Sequence, residues 1–159
     1  MPESTEPLRQ IQTELMNDEQ RRLLRRARFP LHILVVDDDV TTQQLIQKLL
    51  GQNYCVSLCS TVGQAVHDYL RIMPDLVFLD IQLGDSEFNG FDVAHTMCMY
   101  DDSANIVILT AHESAQNIAN ARRAGASGFM VKPFSASRIL HYVQECERMK
   151  FSGERPLWS

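Results

Sequence analysis

The chain has 159 residues, 45% of them hydrophobic and 22% charged, which suits a globular protein with one core and a short extension. Its net charge of -5 argues against non-specific nucleic-acid binding by the chain as a whole. No apolar run approaches the roughly 20 residues that cross a bilayer, and the polar start does not resemble a signal peptide, so we expect a cytoplasmic protein without a membrane partner.

Residues 1–30 form an extension ahead of the core. Residues 1–7 are predicted to be a disordered leader, and residues 8–28 contain no Gly or Pro, which predicts a helix that Pro30 ends. The helix is rich in arginine, with acids close by, so direct contact with nucleic acid is disfavoured. We predict that this helix packs against the core of its own chain or of a neighbouring chain. The alternatives are a solvated helix face and a dimer contact.

From residue 31 onward, short apolar runs alternate with helical patterns. The predicted strands are residues 32–36, 55–59, 76–79, 106–109 and 128–131, and the predicted helices are residues 41–50, 61–73, 91–100, 114–123 and 135–150. In the first of these helices, we expect Leu45, Ile46, Leu49 and Leu50 to face inward. Five strand-then-helix units predict an α/β fold, a doubly wound parallel sheet with helices on both faces.

Polar side chains follow four of the five predicted strands. They are Asp37 and Asp38, Asp80, Thr110 and Lys132. Ligands of such sheets bind beyond the carboxyl ends of the strands, so we expect these groups to share one cleft. Each residue alone could be a helix cap or a surface charge, and Asp39 is predicted to cap the next helix. Together, the acids suit magnesium, and a carboxylate beside it could attack phosphorus.

The four cysteines predict no zinc site. None belongs to a C-x-x-C pair, and none has a His at the spacing of metal ligands. We expect them to be reduced and mostly buried.

The motifs Val-Val-Asp-Asp, Leu-Asp, Leu-Thr-Ala and Val-Lys-Pro-Phe, in this order, resemble those of the receiver domain of two-component response regulators, including the chemotaxis regulators. The resemblance covers residues 31–150, and Thr110 and Lys132 follow Asp80 by the family's spacings of 30 and 52 residues. It implies a flavodoxin-like (βα)5 fold with a five-stranded parallel sheet, here with an extra N-terminal helix.

The resemblance also implies a role for individual residues. Asp80 matches the phospho-acceptor. The implied magnesium ligands are Asp37, Asp38, Asp80 and the backbone carbonyl of Gln82, the phosphate-binding and switch residues are Thr110, Lys132 and Phe129, and Pro133 is expected to follow a cis peptide bond. The chain departs from the family in two places. Its loop 81–90 is about two residues longer and lacks a proline, and Phe129 stands where tyrosine is frequent.

The implied partners are a sensor histidine kinase or phosphotransfer protein and a downstream protein effector. The implied signalling face consists of residues 114–123, 128–131 and 135–150, and a homodimer could form through this face or through the N-terminal helix. Residues 151–159 are too short for a domain, although Phe151, Leu157 and Trp158 could fold back or touch a partner.

Two alternatives to a single-domain switch stay open. One is the receiver part of a larger regulator whose output domain is not in this chain. The other is a metal-dependent phosphatase of the haloacid-dehalogenase type, but such an enzyme would need an acid where Gln82 stands.

Overall fold

The structure, a computed structural model, describes residues 16–84 and 87–152. The predicted leader and the tail residues Leu157 and Trp158 lie outside these ranges. The described residues form five strands and six helices: α1 Asp18–Ala27, β1 His32–Val36, α2 Val40–Leu50, β2 Cys55–Cys59, α3 Val62–Ile72, β3 Leu76–Asp80, α4 Gly90–Tyr100, β4 Ile106–Thr110, α5 Ala115–Ala124, β5 Gly128–Val131 and α6 Ala136–Ser152. Among them, no helix is long and apolar enough to span a membrane.

The five strands form one parallel sheet in the order β2-β1-β3-β4-β5, as expected for a flavodoxin-like α/β fold. Side chains alternate between its two faces, and each face has its own buried cluster. Helices α3, α4 and α5 cover the face that contains Leu34 and Val77. Helices α2 and α6 cover the face that contains Val35 and Phe78.

Side chains at the helix starts explain most of the boundaries. Asp39, Thr61, Asn89 and Ser114 each accept a hydrogen bond from a backbone N–H in the first turn of the helix that follows. The role predicted for Asp39 is therefore confirmed. Helix ends differ from the prediction by one or two residues, and β3 and β4 each extend one residue further than predicted, because Asp80 and Thr110 still pair in the sheet.

Two predictions about helices are wrong. Leu45 is 46% exposed, because α2 buries Thr42, Ile46 and Leu50 instead, at spacings of four residues. The helix predicted over residues 8–28 is not continuous: residues 8–15 lie outside the described ranges, and the described helix begins at Asp18. Asn17 is extended there, and its side chain forms a capping box with Gln20.

Helix α1 packs against the body of its own chain through a buried arginine. Arg25 is 9% exposed. Its guanidinium donates hydrogen bonds to the carbonyl oxygen of Pro74 (3.1 Å), Ser103 Oγ (2.9 Å), Tyr69 Oη (3.2 Å) and Asp101 Oδ2 (2.5 Å). Burial raises the pKa of Tyr69 well above its usual range, so its hydroxyl remains a donor to Asp101 at 2.7 Å.

A second set of contacts joins the end of α1 to the end of α3 and to α6. Arg28 donates to the carbonyl oxygens of Ile72 and Met73, at 2.7 and 2.6 Å. Lys150 of α6 pairs with Asp75 at 3.3 Å and donates a hydrogen bond to the carbonyl oxygen of Arg28. The arginine-rich segment therefore lies beneath the amino ends of the strands, at the edge opposite to the predicted cleft.

Candidate functional site

Three carboxylates meet at the carboxyl edge of the sheet. Asp37 and Asp38 follow β1, and Asp80 is the last residue of the neighbouring strand β3. Carboxylate oxygens of the three residues lie within 4.8 Å of one another. Asp37 is fully buried, Asp80 is 8% exposed, and Asp38 is open to solvent. The strand ends thus bring together the three acids that the sequence placed in one cleft.

Lys132 brings a positive charge to this cluster. It follows β5, and its Nζ donates to Asp37 Oδ2 at 2.7 Å and to Asp80 Oδ2 at 3.1 Å. The peptide bond between Lys132 and Pro133 is cis. Burial by itself would lower the pKa of Lys132, but the hydrogen bonds to Asp37 and Asp80 outweigh it and raise the pKa above its ordinary value. The ammonium group therefore stays charged between the two carboxylates.

The fully buried acid of the cluster, Asp37, has a perturbed pKa. Burial raises the pKa of Asp37 to about 6, although hydrogen bonds from Lys132 and from the Asp39 amide oppose the change. The nearby charge of Asp80 adds to the increase. Crowded carboxylates of this kind are stabilised by a cation that lies between them.

The donor set fits a magnesium ion. Magnesium prefers hard oxygen ligands and keeps several of its waters, so it needs a few carboxylates together with an open side. Asp37, Asp38 and Asp80 supply the oxygens, and exposed Asp38 marks the open side. Gln82 is close by, since its amide N–H donates to Asp80 Oδ1 at 3.3 Å.

Thr110 lies at the end of β4, next to the strand that carries Asp80. It is 4% exposed, and its hydroxyl contacts the backbone of His112. The hydroxyl donates to the carbonyl oxygen of His112 and accepts from its amide N–H, both at 3.1 Å. Phe129 of β5 is 9% exposed and packs in the core cluster beneath α5.

Two supporting residues were missed by the sequence reasoning. Gln43 of α2 donates from its side-chain amide to the carbonyl oxygen of Asp37 at 2.6 Å, and also to Cys59 and Ser60 at the end of β2. The amide N–H of Gly84 donates to Asp38 Oδ2 at 3.1 Å. No motif signals either contact, although a glutamine four residues after a helix cap is well placed to reach back to the strand end.

The loop that follows Asp80 turns back and approaches the end of β3 closely. Gly84 has a φ of 65°, a left-handed conformation that favours glycine. A Cβ at Gly90 would lie 2.2 Å from the backbone oxygen of Asp80. Glycine is therefore required where α4 begins, directly behind the backbone of Asp80. Residues 85 and 86, in the longer part of the loop, lie outside the described ranges.

A cavity of about 580 Å³ opens beside the site, between α5 and the start of α6. Phe129, Pro133 and Phe134 line it together with the charged side chains of Glu113, Arg122 and Arg138. The cavity thus lies on the face that the sequence analysis singled out for signalling, next to the predicted switch residue Phe129.

Comparison with known sequences gives a match to the family described as the response regulator receiver domain, over residues 33–144. The chain is 30% identical over 118 residues to the chemotaxis protein CheY of Thermotoga maritima, a match that covers 73% of this chain and 97% of that protein. It is 31% identical over 125 residues to the sensory transduction protein LytT of Bacillus cereus. That match covers 77% of this chain but only 49% of LytT, so the chain spans about half the length of this relative.

Solved structures share the fold. A CheY-like response regulator receiver domain protein from Methanospirillum hungatei superposes with a TM-score of 0.72 at 22% identity, covering 78% of this chain and 98% of that one. The chemotaxis protein CheY4 of Vibrio cholerae superposes with a TM-score of 0.67 at 23% identity, covering 73% and 98%.

Proposed function

The chain belongs to the response regulator receiver family, and from this premise we propose that it is a phosphorylation-dependent signalling switch. In this proposal Asp80 accepts a phosphoryl group from the phosphohistidine of a sensor kinase or phosphotransfer protein, in a magnesium-dependent reaction. The chain acts in the cytoplasm, and the output is a change of protein contacts with a downstream effector. Beyond its own phosphoryl transfer and dephosphorylation, it catalyses no reaction.

The observation that carries the proposal is the contact of one ammonium group with two carboxylates from different strands. Lys132 Nζ lies 2.7 Å from Asp37 and 3.1 Å from Asp80, while Asp38 completes the acid cluster. A purely structural ion pair would need one acid. Three acids and one lysine at the carboxyl edge suit the transfer of a phosphoryl group, which needs positioned charges more than it needs a base.

The reaction follows from these positions. A carboxylate oxygen of Asp80 attacks phosphorus, an O–P bond forms, and the P–N bond to the donor imidazole breaks. Asp37, Asp38, Asp80 and the carbonyl oxygen of Gln82 would hold magnesium, which supplies neutralisation of the phosphoryl oxygens when it is bound. Lys132 contributes the remaining positive charge and keeps the Asp80 carboxylate oriented.

The switch would use Thr110 and Phe129. An oxygen of the new phosphoryl group competes with the His112 backbone for the Thr110 hydroxyl, because a charged acceptor makes the stronger hydrogen bond. Movement of Thr110 would leave space for the ring of Phe129. Since Phe129 lines the cavity between α5 and α6, we expect this face, with residues 114–123, 128–131 and 135–150, to change shape.

The direct test is phosphorylation with acetyl phosphate and magnesium, followed by intact-mass measurement. We expect one phosphoryl group per chain, removed by hydroxylamine as an acyl phosphate is, and no phosphorylation when magnesium is chelated. Asp80→Asn should abolish the product. Asp102→Asn is a matched control, because Asp102 is 60% exposed and pairs only loosely with Arg22, at 3.9 Å. A covalent phosphate that survives Asp80→Asn would show that the acceptor is another residue.

A second candidate is the receiver part of a larger regulator. The match that covers only half of LytT supports it, whereas the match to nearly all of CheY supports the single-domain switch. The mass of the protein isolated from its own cells separates the two: a mass equal to that of this chain favours the switch, and a larger one favours the regulator.

A further inference from the structure

Helix α1 has an unusual distribution of polarity. Its body-facing side carries Arg21 and Arg25, which are 8% and 9% exposed, while Leu23 and Leu24 are 56% and 41% exposed. A surface helix ordinarily buries its leucines and exposes its arginines. Here Arg25 holds the helix to the body, and Leu23 stays exposed on another face of the helix.

Three exposed residues of α1 form a stripe along one side of the helix. Glu19, Leu23 and Arg26 follow one another at spacings of four and three residues, which places them on one face. Glu19 stands in the acidic first turn and Arg26 in the basic last turn. Along the helix, the stripe therefore contains an acidic residue, a leucine and a basic residue in this order.

The stripe borders a groove between α1 and α6. The groove has a volume of about 540 Å³ and is lined by Glu19, Leu23 and Arg26 of α1 and by Cys146 and Met149 of α6. It lies beneath the amino ends of the strands, far from the acid cluster at their carboxyl ends. An apolar side chain from outside could enter it beside Leu23 and Met149.

We propose that this surface is a two-fold symmetric contact between two copies of the chain. In an antiparallel pairing of two α1 helices about Leu23, Glu19 of each copy lies opposite Arg26 of the other, and each Leu23 enters the groove of the other copy. Glu19 and Arg26 are four and three residues from Leu23, so their distances from the axis differ by about 1.5 Å. Both charge pairs can therefore form at once.

A second copy is the occupant that fits best, because the surface is complementary to itself. A two-fold contact uses the same patch twice, so an acid on one side of the axis must meet a base on the other. The stripe satisfies this condition, which a surface for an unrelated partner would not need to satisfy. The proposal does not rest on phosphorylation, and we expect the contact to persist in Asp80→Asn.

Charge reversal tests the pairing. The full chain is studied by sedimentation equilibrium, first as wild type and then as the variants Glu19→Arg and Arg26→Glu. Each single variant places like charges opposite each other twice, so we expect its dimer dissociation constant to rise at least about tenfold. An equimolar mixture of the two variants places opposite charges together at both positions. We expect the mixture to form dimers again, and each dimer should contain one copy of each variant.

Two further variants address the leucine. Leu23→Glu should also weaken the dimer, while Leu45→Glu should not, although Leu45 is a comparably exposed leucine on a different helix. Circular dichroism checks that each variant is folded, because Arg26 also donates a hydrogen bond to the carbonyl oxygen of Lys150. The proposal is overturned by a wild-type chain that remains monomeric, by a dimer that survives Leu23→Glu, or by single variants that do not recover when mixed.

Discussion

Replacing Arg25 with methionine should remove a large part of the stability of the chain. The guanidinium makes four hydrogen bonds in a site that is 9% exposed, and its partner Asp101 is 1% exposed. The substitution leaves that carboxylate buried without a countercharge. Breaking a buried ion pair by removing one partner typically costs about 3–5 kcal/mol. That loss is a large share of the roughly 5–15 kcal/mol by which a domain of this size is stable.

The pKa of Asp101 gives a second measure of the same contact. Burial alone would raise it, but Arg25, Tyr69 and Ser103 lower it from 3.8 to about 2. A depressed pKa contributes stability that is present above the unfolded value and lost as the pH falls from about 4 to about 2. Lowering this pKa from 3.8 to about 2 corresponds to about 2–3 kcal/mol. In Arg25→Met the part of the acid-dependent loss that is due to Asp101 should disappear, because burial then keeps the pKa of Asp101 high.

The assay is urea unfolding at equal protein concentration for wild type, Arg25→Met and Arg22→Met. Arg22 is the matched control: it lies on the same helix, but its side chain is 60% exposed and its ion pair with Asp102 spans 3.9 Å. Such surface pairs contribute about 0–1 kcal/mol. If the two variants lose the same free energy of unfolding, or if Arg25→Met loses as much stability as the wild type between about pH 4 and pH 2, the buried contact does not hold α1 in place.

Two further predictions concern glycines and thiols. Gly90→Ala should destabilise the fold, since its Cβ would meet backbone atoms of Asp80 and Ile81 at 2.2–2.9 Å, whereas Gly63→Ala in α3 meets nothing within 4 Å and should stabilise by roughly 0.5–1 kcal/mol. Thermal unfolding checks both, and equal shifts for the two would contradict the close approach at Gly90. Burial raises the pKa of Cys59 to about 11 and that of Cys146 to about 12, so a thiol reagent should label exposed Cys55 first and these two only on unfolding. Fast labelling of Cys146 in the folded chain would contradict its burial.

The sequence predicted the sheet well because the strands are short, largely apolar runs, four of which end at a polar group used in the cleft. The helix bounds followed almost as closely, since caps such as Asp39 and Asn89 are local signals. The position of Leu45 could not be predicted, because Leu45 and Ile46 are adjacent on the helix and only the packed sheet decides which of them is buried. The convergence of the acids followed from parallel topology, since the carboxyl ends of all strands share one edge.

The packing of α1 on the body of its own chain was predicted and is confirmed, but the buried arginine that anchors it was not foreseen. An arginine-rich helix ordinarily suggests a solvated face, and nothing local shows that Arg25 will be buried. The missing signal lies elsewhere in the chain, where Asp75 immediately precedes β3 and Asp101 precedes β4. Acids at the amino edge of a sheet have no role in the predicted cleft, so they could have indicated a basic partner there. That inference needs the sheet order as well as the sequence.

The acid cluster around Asp80 and the buried contact of Arg25 with Asp101 lie at opposite ends of the sheet. Because they are separated, their roles can be tested independently. Strand β3 begins after Asp75 and ends at Asp80, and five residues of strand span about 17 Å. Every residue of β3 and β4 is buried, so we expect these two strands to remain rigid. Loss of Arg25 should therefore lower the free energy of unfolding without moving the Asp80 carboxylate. The fraction of Arg25→Met that remains folded should then accept phosphate at the wild-type rate. A slower rate in the folded fraction would show instead that α1 adjusts the site through the strands that it holds.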